Sequence, residues 1–350
     1  VHVKGKKMTG YDLADLGWSS HFVSQLDITE VEAYMPARVS AVHRTQITAL
    51  TQTGKITLAL DHELPVAKVT VGDWVLCDPK AQLAIRRLSR LNMLQRGSDF
   101  HHGTRQLIAA NINTLFITTS CNADFNIARL ERYLALAHDA EITPVILLTK
   151  ADQAEDITQY TDQAQTLGRD LAVVALDAHQ VLETGVLAPW CGKGQTVALA
   201  GSSGVGKTTL TNALTGEAAA TASIREDDAK GRHTTTGRSL HAMRTGGWLI
   251  DTPGMRSLGV ADVTYGINAT FPEISQLEAD CKFRDCKHES EPGCAVQAAV
   301  AAGEVDPERL KRFQKLIIED ARATQSPAQN RAKSRTTGKM IKAALKQKKR

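Results

Sequence analysis

The stretch Gly201-Ser202-Ser203-Gly204-Val205-Gly206-Lys207-Thr208 constrains this chain more than any other. It satisfies G-x-x-x-x-G-K-[ST], follows the apolar run Val197–Ala200 and opens a helical pattern at Lys207. A strand, this loop and then a helix is the context of a phosphate-binding loop. Glycines let the backbone wrap closely and turn its N–H groups onto phosphate oxygens, and the helix N-terminus adds the positive end of its dipole. Lys207 is expected to reach the β- and γ-phosphates and Thr208 to hold Mg²⁺, with Gly201 through Thr209 lining the nucleotide.

The surrounding pattern agrees. Strand-like runs (115–119, 145–149, 171–176, 196–200, 248–250) alternate with helix-like runs (127–139, 158–167, 207–214). That alternation predicts parallel βαβ units in a doubly wound sheet. The run ending at Asp251 leads into Asp251-Thr-Pro-Gly254. An acid at a strand end can hold Mg²⁺, and the Gly254 backbone can approach a γ-phosphate. Between the two motifs lies Gly231-Arg-His-Thr-Thr-Thr-Gly237. Thr234, Thr235 and Thr236 can supply a second hydroxyl to Mg²⁺ and an N–H to the γ-phosphate, as a switch loop does.

Thr149-Lys150-Ala151-Asp152 ends another apolar strand. It reads as a guanine motif. Asp152 would accept two hydrogen bonds from the guanine N1–H and amino group, a donor pair that adenine lacks. Lys150 would pack its stem along the base, and Thr149 stands where Asn is more usual. This motif precedes the phosphate loop, whereas ordinary GTPases run phosphate loop, switch threonine, D-x-x-G and guanine motif in that order. The chain therefore reads as a circularly permuted GTPase; moving the chain break keeps a sheet whose old termini were adjacent. GTP and GDP are the expected ligands.

Residues 1–35 lack a strong period and read as a loosely held leader. Residues 36–98 hold five short β-like runs separated by polar or glycine turns, which fits an OB-like β-barrel, with an SH3-like barrel or simple β-cap as alternatives. Residues 104–262 carry the GTPase motifs. Residues 263–323 read as helical around Cys281-x4-Cys286-x-His288-x5-Cys294, a closed set of three thiolates and one imidazole suited to one structural Zn²⁺. Asp306-Pro307 starts the last helix well. Residues 324–350 form a basic tail: Arg331 to Arg350 contains nine Lys and Arg and no acid, while the whole chain is only +4. The tail suits a polyanionic partner or is simply a solvated terminus.

At 350 residues, 42% hydrophobic and 23% charged, the chain suits several globular domains. No apolar stretch is long enough for a membrane span, and the lysines near the start have no apolar segment behind them. A cytoplasmic monomer with no membrane partner is expected.

Taken together, these motifs resemble the ribosome small subunit-dependent GTPase A family (RsgA). Asn111-Ile112-Asn113, Asn126 to Leu134, Gly-Arg-His-Thr-Thr-Thr and Asp-Thr-Pro-Gly carry the likeness, which covers about 37–323. The resemblance implies GTP hydrolysis coupled to late maturation of the small ribosomal subunit, with the barrel and zinc domain gripping rRNA. It implies His233 as the residue that replaces a water-orienting Gln, since Met255 follows D-x-x-G here. The family's base-closing Ser-Ala reads Val174-Ala175, so Ala175 alone carries over. Two other functions stay open: an ATPase or kinase in which Asp152 is incidental, and an RNA-binding zinc protein whose nucleotide site only signals occupancy.

Overall fold

In the N-terminal half, apolar and polar residues alternate strongly enough to roll a sheet into a barrel. Strands β1 (Met35–Val42), β2 (Gln46–Thr51), β3 (Gly54–Leu60), β4 (Trp74–Asp78) and β5 (Leu83–Arg87) follow two short helices, α1 (Ser20–Val23) and α2 (Ile28–Ala33). The strand order is β1-β2-β3-β5-β4, and β4 pairs back onto β1 to close the ring. Pairings are antiparallel except β3 with β5. Ala37, Val39, Ile47, Ala49, Leu58, Val75, Cys77 and Ala84 fill the interior, mostly from every second position. This is the OB-like barrel the sequence predicts. The computed structural model describes residues 10–96, 106–216, 238–251 and 261–324.

Two short strands, β6 (Met93–Arg96) and β7 (Gln106–Ala110), pair with each other. The nucleotide fold follows: β8 (Thr114–Ser120), α3 (Ile127–Asp139), β9 (Thr143–Thr149), α4 (Ile157–Gln165), β10 (Ala172–Ala175), α5 (Val181–Thr184), α6 (Ala188–Cys191), β11 (Thr196–Ala200), α7 (Lys207–Thr215), β12 (Ser239–Ala242) and β13 (Trp248–Asp251). Strands β10-β9-β8-β11-β13 are parallel, and β12 adds antiparallel to β13. Phe116, Val145, Leu147, Val197, Leu199 and Leu249 cover one face under Leu187, Leu210 and Leu214. The alternate residues Leu115, Ile117, Ile146, Leu148, Ala198 and Ile250 are also buried. A sheet buried on both faces reads as continuous apolar runs, which is what these strands show. The guanine-motif strand β9 precedes the phosphate-loop strand β11 in the chain, yet both end on the same edge of the sheet: the fold is circularly permuted.

The leader differs from its expectation. Its described part, residues 10–34, is held rather than loose: Leu16 and Phe22 are buried. Trp18 meets Trp74 edge-on at 4.7 Å, and Phe22 lies 5.7 Å from the same ring. Arg86 donates from Nε to Glu30 Oε1 (2.5 Å) and from Nη2 to the Gln25 carbonyl (2.8 Å). The segment is too short for a period to reveal it; a few aromatic anchors hold it instead.

Barrel and parallel sheet belong to one unit, Val1–Leu94 with Leu107–Ser257. Within it the sheet runs on from β12 into β1 through the pair Ser239 and Ala41. Asn111 sits at the junction in the left-handed region (φ 56°). Its side chain accepts from the Leu91 N–H (2.9 Å) and donates to the Gly72 carbonyl (2.9 Å). Asn113 Oδ1 accepts the Thr196 N–H at 2.8 Å. The Asn-Ile-Asn segment is thus a hydrogen-bonded joint.

The second unit comprises Gln95–Gln106 with Leu258–Arg350. Its helices are α8 (Thr264–Thr270), α9 (Pro272–Glu278), α10 (Ala295–Ala302) and α11 (Pro307–Thr324). Phe271 and Phe313 meet at 5.5 Å, with the Arg309 guanidinium 4.6 Å from the Phe271 ring. Asp320 of α11 accepts from the Val263 N–H (3.0 Å) and the Thr264 hydroxyl (2.9 Å), fixing where α8 begins. No described helix is long and apolar enough to cross a membrane.

Candidate nucleotide site and metal centre

All five parallel strands end on one edge, where ligands bind in open α/β sheets. β11 stops at Ala200, and Gly201 takes φ +139° against the Thr118 carbonyl. A Cβ there would lie 2.1 Å from that oxygen, so only glycine fits. Gly206 (φ +91°) then caps the N-terminus of α7. Val205 is buried, whereas Ser203, Gly204 and Thr208 are exposed and Ser202, Lys207 and Thr209 are half-buried. Lys207 Nζ folds back onto its own loop, donating to the carbonyls of Gly201 (2.8 Å) and Ser202. Asp251 ends β13, the strand paired beside β11.

On the guanine side, Thr149 is buried and its hydroxyl sits between the carbonyls of Val205 (2.7 Å) and Thr119 (3.1 Å). A hydroxyl has one proton, so Val205, the shorter contact, is the better acceptor. This ties the end of β9 directly to the phosphate loop. Lys150 then takes a left-handed conformation (φ 57°), uncommon without glycine, and starts the turn Ala151–Gln153. Asp152 lies exposed on that turn. Ala175 pairs with Leu148, and the next residue, Leu176, accepts the Ala151 N–H at 3.5 Å. The edge thus gathers 149–152 and Ala175 beside 201–209, although they are separate in sequence.

His233, Thr234, Thr235, Thr236 and Gly254 lie outside the described residues, as does the basic tail. Arg238 and β12 follow the threonine segment, and Arg238 donates from Nη1 to the Leu107 carbonyl.

Two residues with no role in the sequence reading also reach the phosphate loop, both on α3, and Asp124 just before the helix anchors one of them. Arg129 Nη1 donates to Ser202 Oγ and to both carboxylate oxygens of Asp124 at 3.1 Å. The Gly201 N–H donates to the Tyr133 hydroxyl, whose pKa burial pushes up. The available signal was spacing: Arg129 and Tyr133 are four apart, hence on one face of a helix.

In the second unit, the ligand atoms of Cys281, Cys286, His288 and Cys294 all lie within 4.8 Å of one another. His288 turns Nδ1 toward Cys294 Sγ (3.4 Å) and Cys281 Sγ (3.7 Å). Its Nε2 faces Glu278 Oε1 at 2.9 Å. Carboxylate on one nitrogen and ligand position on the other is how metal-binding imidazoles are oriented. The Gln297 N–H donates to Cys294 Sγ (3.4 Å), which caps the start of α10. Gln314 of α11 donates to the His288 carbonyl (2.9 Å). The soft donor set fits Zn²⁺, and Cys77, Cys121 and Cys191 lie elsewhere, buried.

The sequence profile of the RsgA GTPase family matches residues 87–261. The small ribosomal subunit biogenesis GTPase RsgA of Mesorhizobium japonicum is 57% identical over 316 residues, 89% of this chain and 91% of the relative. Small ribosomal subunit biogenesis GTPase RsgA 2 of Vibrio parahaemolyticus is 44% identical, covering 95% of this chain and 93% of its own. Among solved structures, YjeQ from Thermotoga maritima superposes with a TM-score of 0.61 at 25% identity, covering 82% of this chain and 98% of that one. The circularly permuted GTPase YloQ is similar in fold, with a TM-score of 0.59. With two relatives matched over nearly their whole length and the permuted phosphate-loop fold in place, the chain belongs to the RsgA GTPase family.

Proposed function

We propose that this GTPase hydrolyses GTP during late maturation of the small ribosomal subunit, in the cytoplasm, binding rRNA and accelerated by the subunit. The observation that carries the nucleotide chemistry is the convergence of the Gly201–Thr208 loop, the Thr149–Asp152 turn and Asp251 on one sheet edge. Lys207 would leave its loop carbonyls for the β- and γ-phosphates. Asp152 would select guanine, with Lys150 and Ala175 flanking the base. Thr208 and Asp251 would hold Mg²⁺, which would supply positive charge against the phosphates. Cys281, Cys286, His288 and Cys294 would hold one structural Zn²⁺. His233 and Thr234–Thr236 are assigned to the switch that responds to the γ-phosphate, with His233 replacing the water-orienting side chain that Met255 cannot supply.

The partner assignment rests on the relatives' names and on charge. Lys282, Arg284 and Lys287 crowd the metal knuckle beside exposed Phe283. The nine-cation tail adds a phosphate-binding segment. The decisive measurement is GTP turnover by the full chain with and without purified small subunits. We expect at least about a tenfold rise, roughly 1.4 kcal/mol in barrier. An unchanged rate across a range of salt would leave the GTPase but remove the ribosome-dependent role.

A further inference from the structure

Arg129 occupies a position that helix stability does not explain. It lies in the first turn of α3, where Asn126 caps the helix by accepting the Arg129 N–H at 3.0 Å. A cation there opposes the positive end of the helix dipole. Its ion-pair partner Asp124 is about as exposed as Arg129 itself, 40% against 36%, and pairs that open to water stabilise little. What the position does give is direction. Long side chains in a helix lean back toward its N-terminus, here toward the carboxyl edge of the sheet. The guanidinium arrives at Ser202, second residue of the phosphate loop.

Two cations therefore converge on one loop residue: Lys207 Nζ on the Ser202 carbonyl and Arg129 Nη1 on the Ser202 hydroxyl. A phosphate that draws Lys207 off its carbonyls comes within reach of Arg129 as well. Among the described residues only Nη1 of the guanidinium is engaged; Nε and Nη2 make no hydrogen bond. Asp124 grips Nη1 with both oxygens, so the guanidinium can hold its anchor and still present a second N–H edge to a ligand.

We propose that Arg129 is a catalytic residue supplied in cis, its guanidinium lying against γ-phosphate oxygens as GTP is hydrolysed. The inference rests on Gly201–Thr208 being the phosphate loop. In the reaction a water oxygen bonds to the γ-phosphorus while the bond to the β–γ bridging oxygen breaks, leaving its electron pair on GDP. The water's protons pass to phosphate and solvent. Arg129 takes no proton; it neutralises charge spread over the equatorial oxygens and on the leaving oxygen, as an arginine from a partner protein does in other GTPases.

The test uses the full chain with Mg²⁺ and compares wild type with Arg129→Ala, Arg129→Lys and Lys207→Ala. Three readouts are needed: kcat and KM for GTP, affinity for GDP, and trapping of GDP with aluminium fluoride as a mimic of the transferring phosphoryl group. Arg129→Ala should lower kcat at least about tenfold and lose the aluminium fluoride complex, while GDP affinity stays within about twofold. Arg129→Lys should not restore turnover, because a point charge cannot span two oxygens as the guanidinium does. A wild-type kcat in Arg129→Ala overturns the proposal. So does a parallel loss of GTP and GDP affinity with a lowered Tm, which would make Arg129 a brace for the loop. Lys207→Ala separates the two layers. If it loses nucleotide while Arg129→Ala behaves as wild type, the phosphate loop stands and only Arg129 falls; if it keeps nucleotide, the loop assignment falls first and takes the proposal with it.

Discussion

Thr149 acts as a brace at the sheet edge. Its hydroxyl reaches the Val205 carbonyl, so the residue that opens the guanine motif also fixes the phosphate loop. Asn is longer and has two donors; Thr does the bracing with one proton from a β-branched side chain that a strand end favours. Thr149→Val keeps the shape and removes the proton. A buried carbonyl is then left without its partner, which costs roughly 1–3 kcal/mol. We expect a lower Tm and weaker binding of GTP and GDP alike, read by thermal unfolding and nucleotide titration. Equal loss for both nucleotides distinguishes this brace from Arg129, whose effect is confined to the γ-phosphate.

Among elements, α9 and α10 depend on the knuckle between them. That knuckle carries no extended apolar run, and His288 sits at φ 57°. Bonds such as Gln297 and Gln314 to the His288 carbonyl hold it, and the proposed Zn²⁺ would add the four candidate ligands to them. Elemental analysis should find one Zn²⁺ per chain. Glu278→Gln, which weakens the acceptor behind His288, should lower zinc affinity roughly 10–100-fold without touching a ligand. A competing chelator titration measures it. After chelation a thiol reagent should modify three cysteines and not six. Cys77, Cys121 and Cys191 are buried outside the cluster, where the reagent does not reach them while the first unit stays folded, and burial pushes their thiols up.

Across the first unit, one residue joins three parts of the chain. Arg38 of β1 is fully buried and donates to the Leu16 carbonyl in the leader, the Asn111 carbonyl at the joint (3.2 Å) and Thr196 Oγ1 of β11 (2.8 Å). No carboxylate faces it among the described residues, and burial pushes its pKa down to about 9, still above neutral. The charge is held by carbonyl dipoles and by Trp74, 6.0 Å from the guanidinium. Trp248 Nε1 completes the clasp by donating to the Asp15 carbonyl at 2.7 Å. Arg38→Met relieves a buried charge but orphans three acceptors, each worth about 1 kcal/mol. We expect a net loss of roughly 2–3 kcal/mol and faster amide exchange in residues 10–18 than in β8, β9 and β11.

Much of this molecule is readable along the chain because its signals are local. The phosphate loop needs a strand, glycines and a helix start within about a dozen residues. The helix Ile127–Asp139 and the strand Thr196–Ala200 match their predicted bounds because cap and period sit inside them. The cysteines and histidine are near neighbours in sequence and meet in space. The permuted order of motifs is itself a fact of sequence. Other features have no local signature. Strand β12, four residues long, exists because β13 and β1 flank it, and no period can announce it. The leader is held by Arg38 from a distant strand, and Arg129 acquires meaning only when α3 brings it to Ser202, 73 residues away. Local propensity and covalent spacing act over a few residues; long-range packing and burial decide which distant polar groups share a partner.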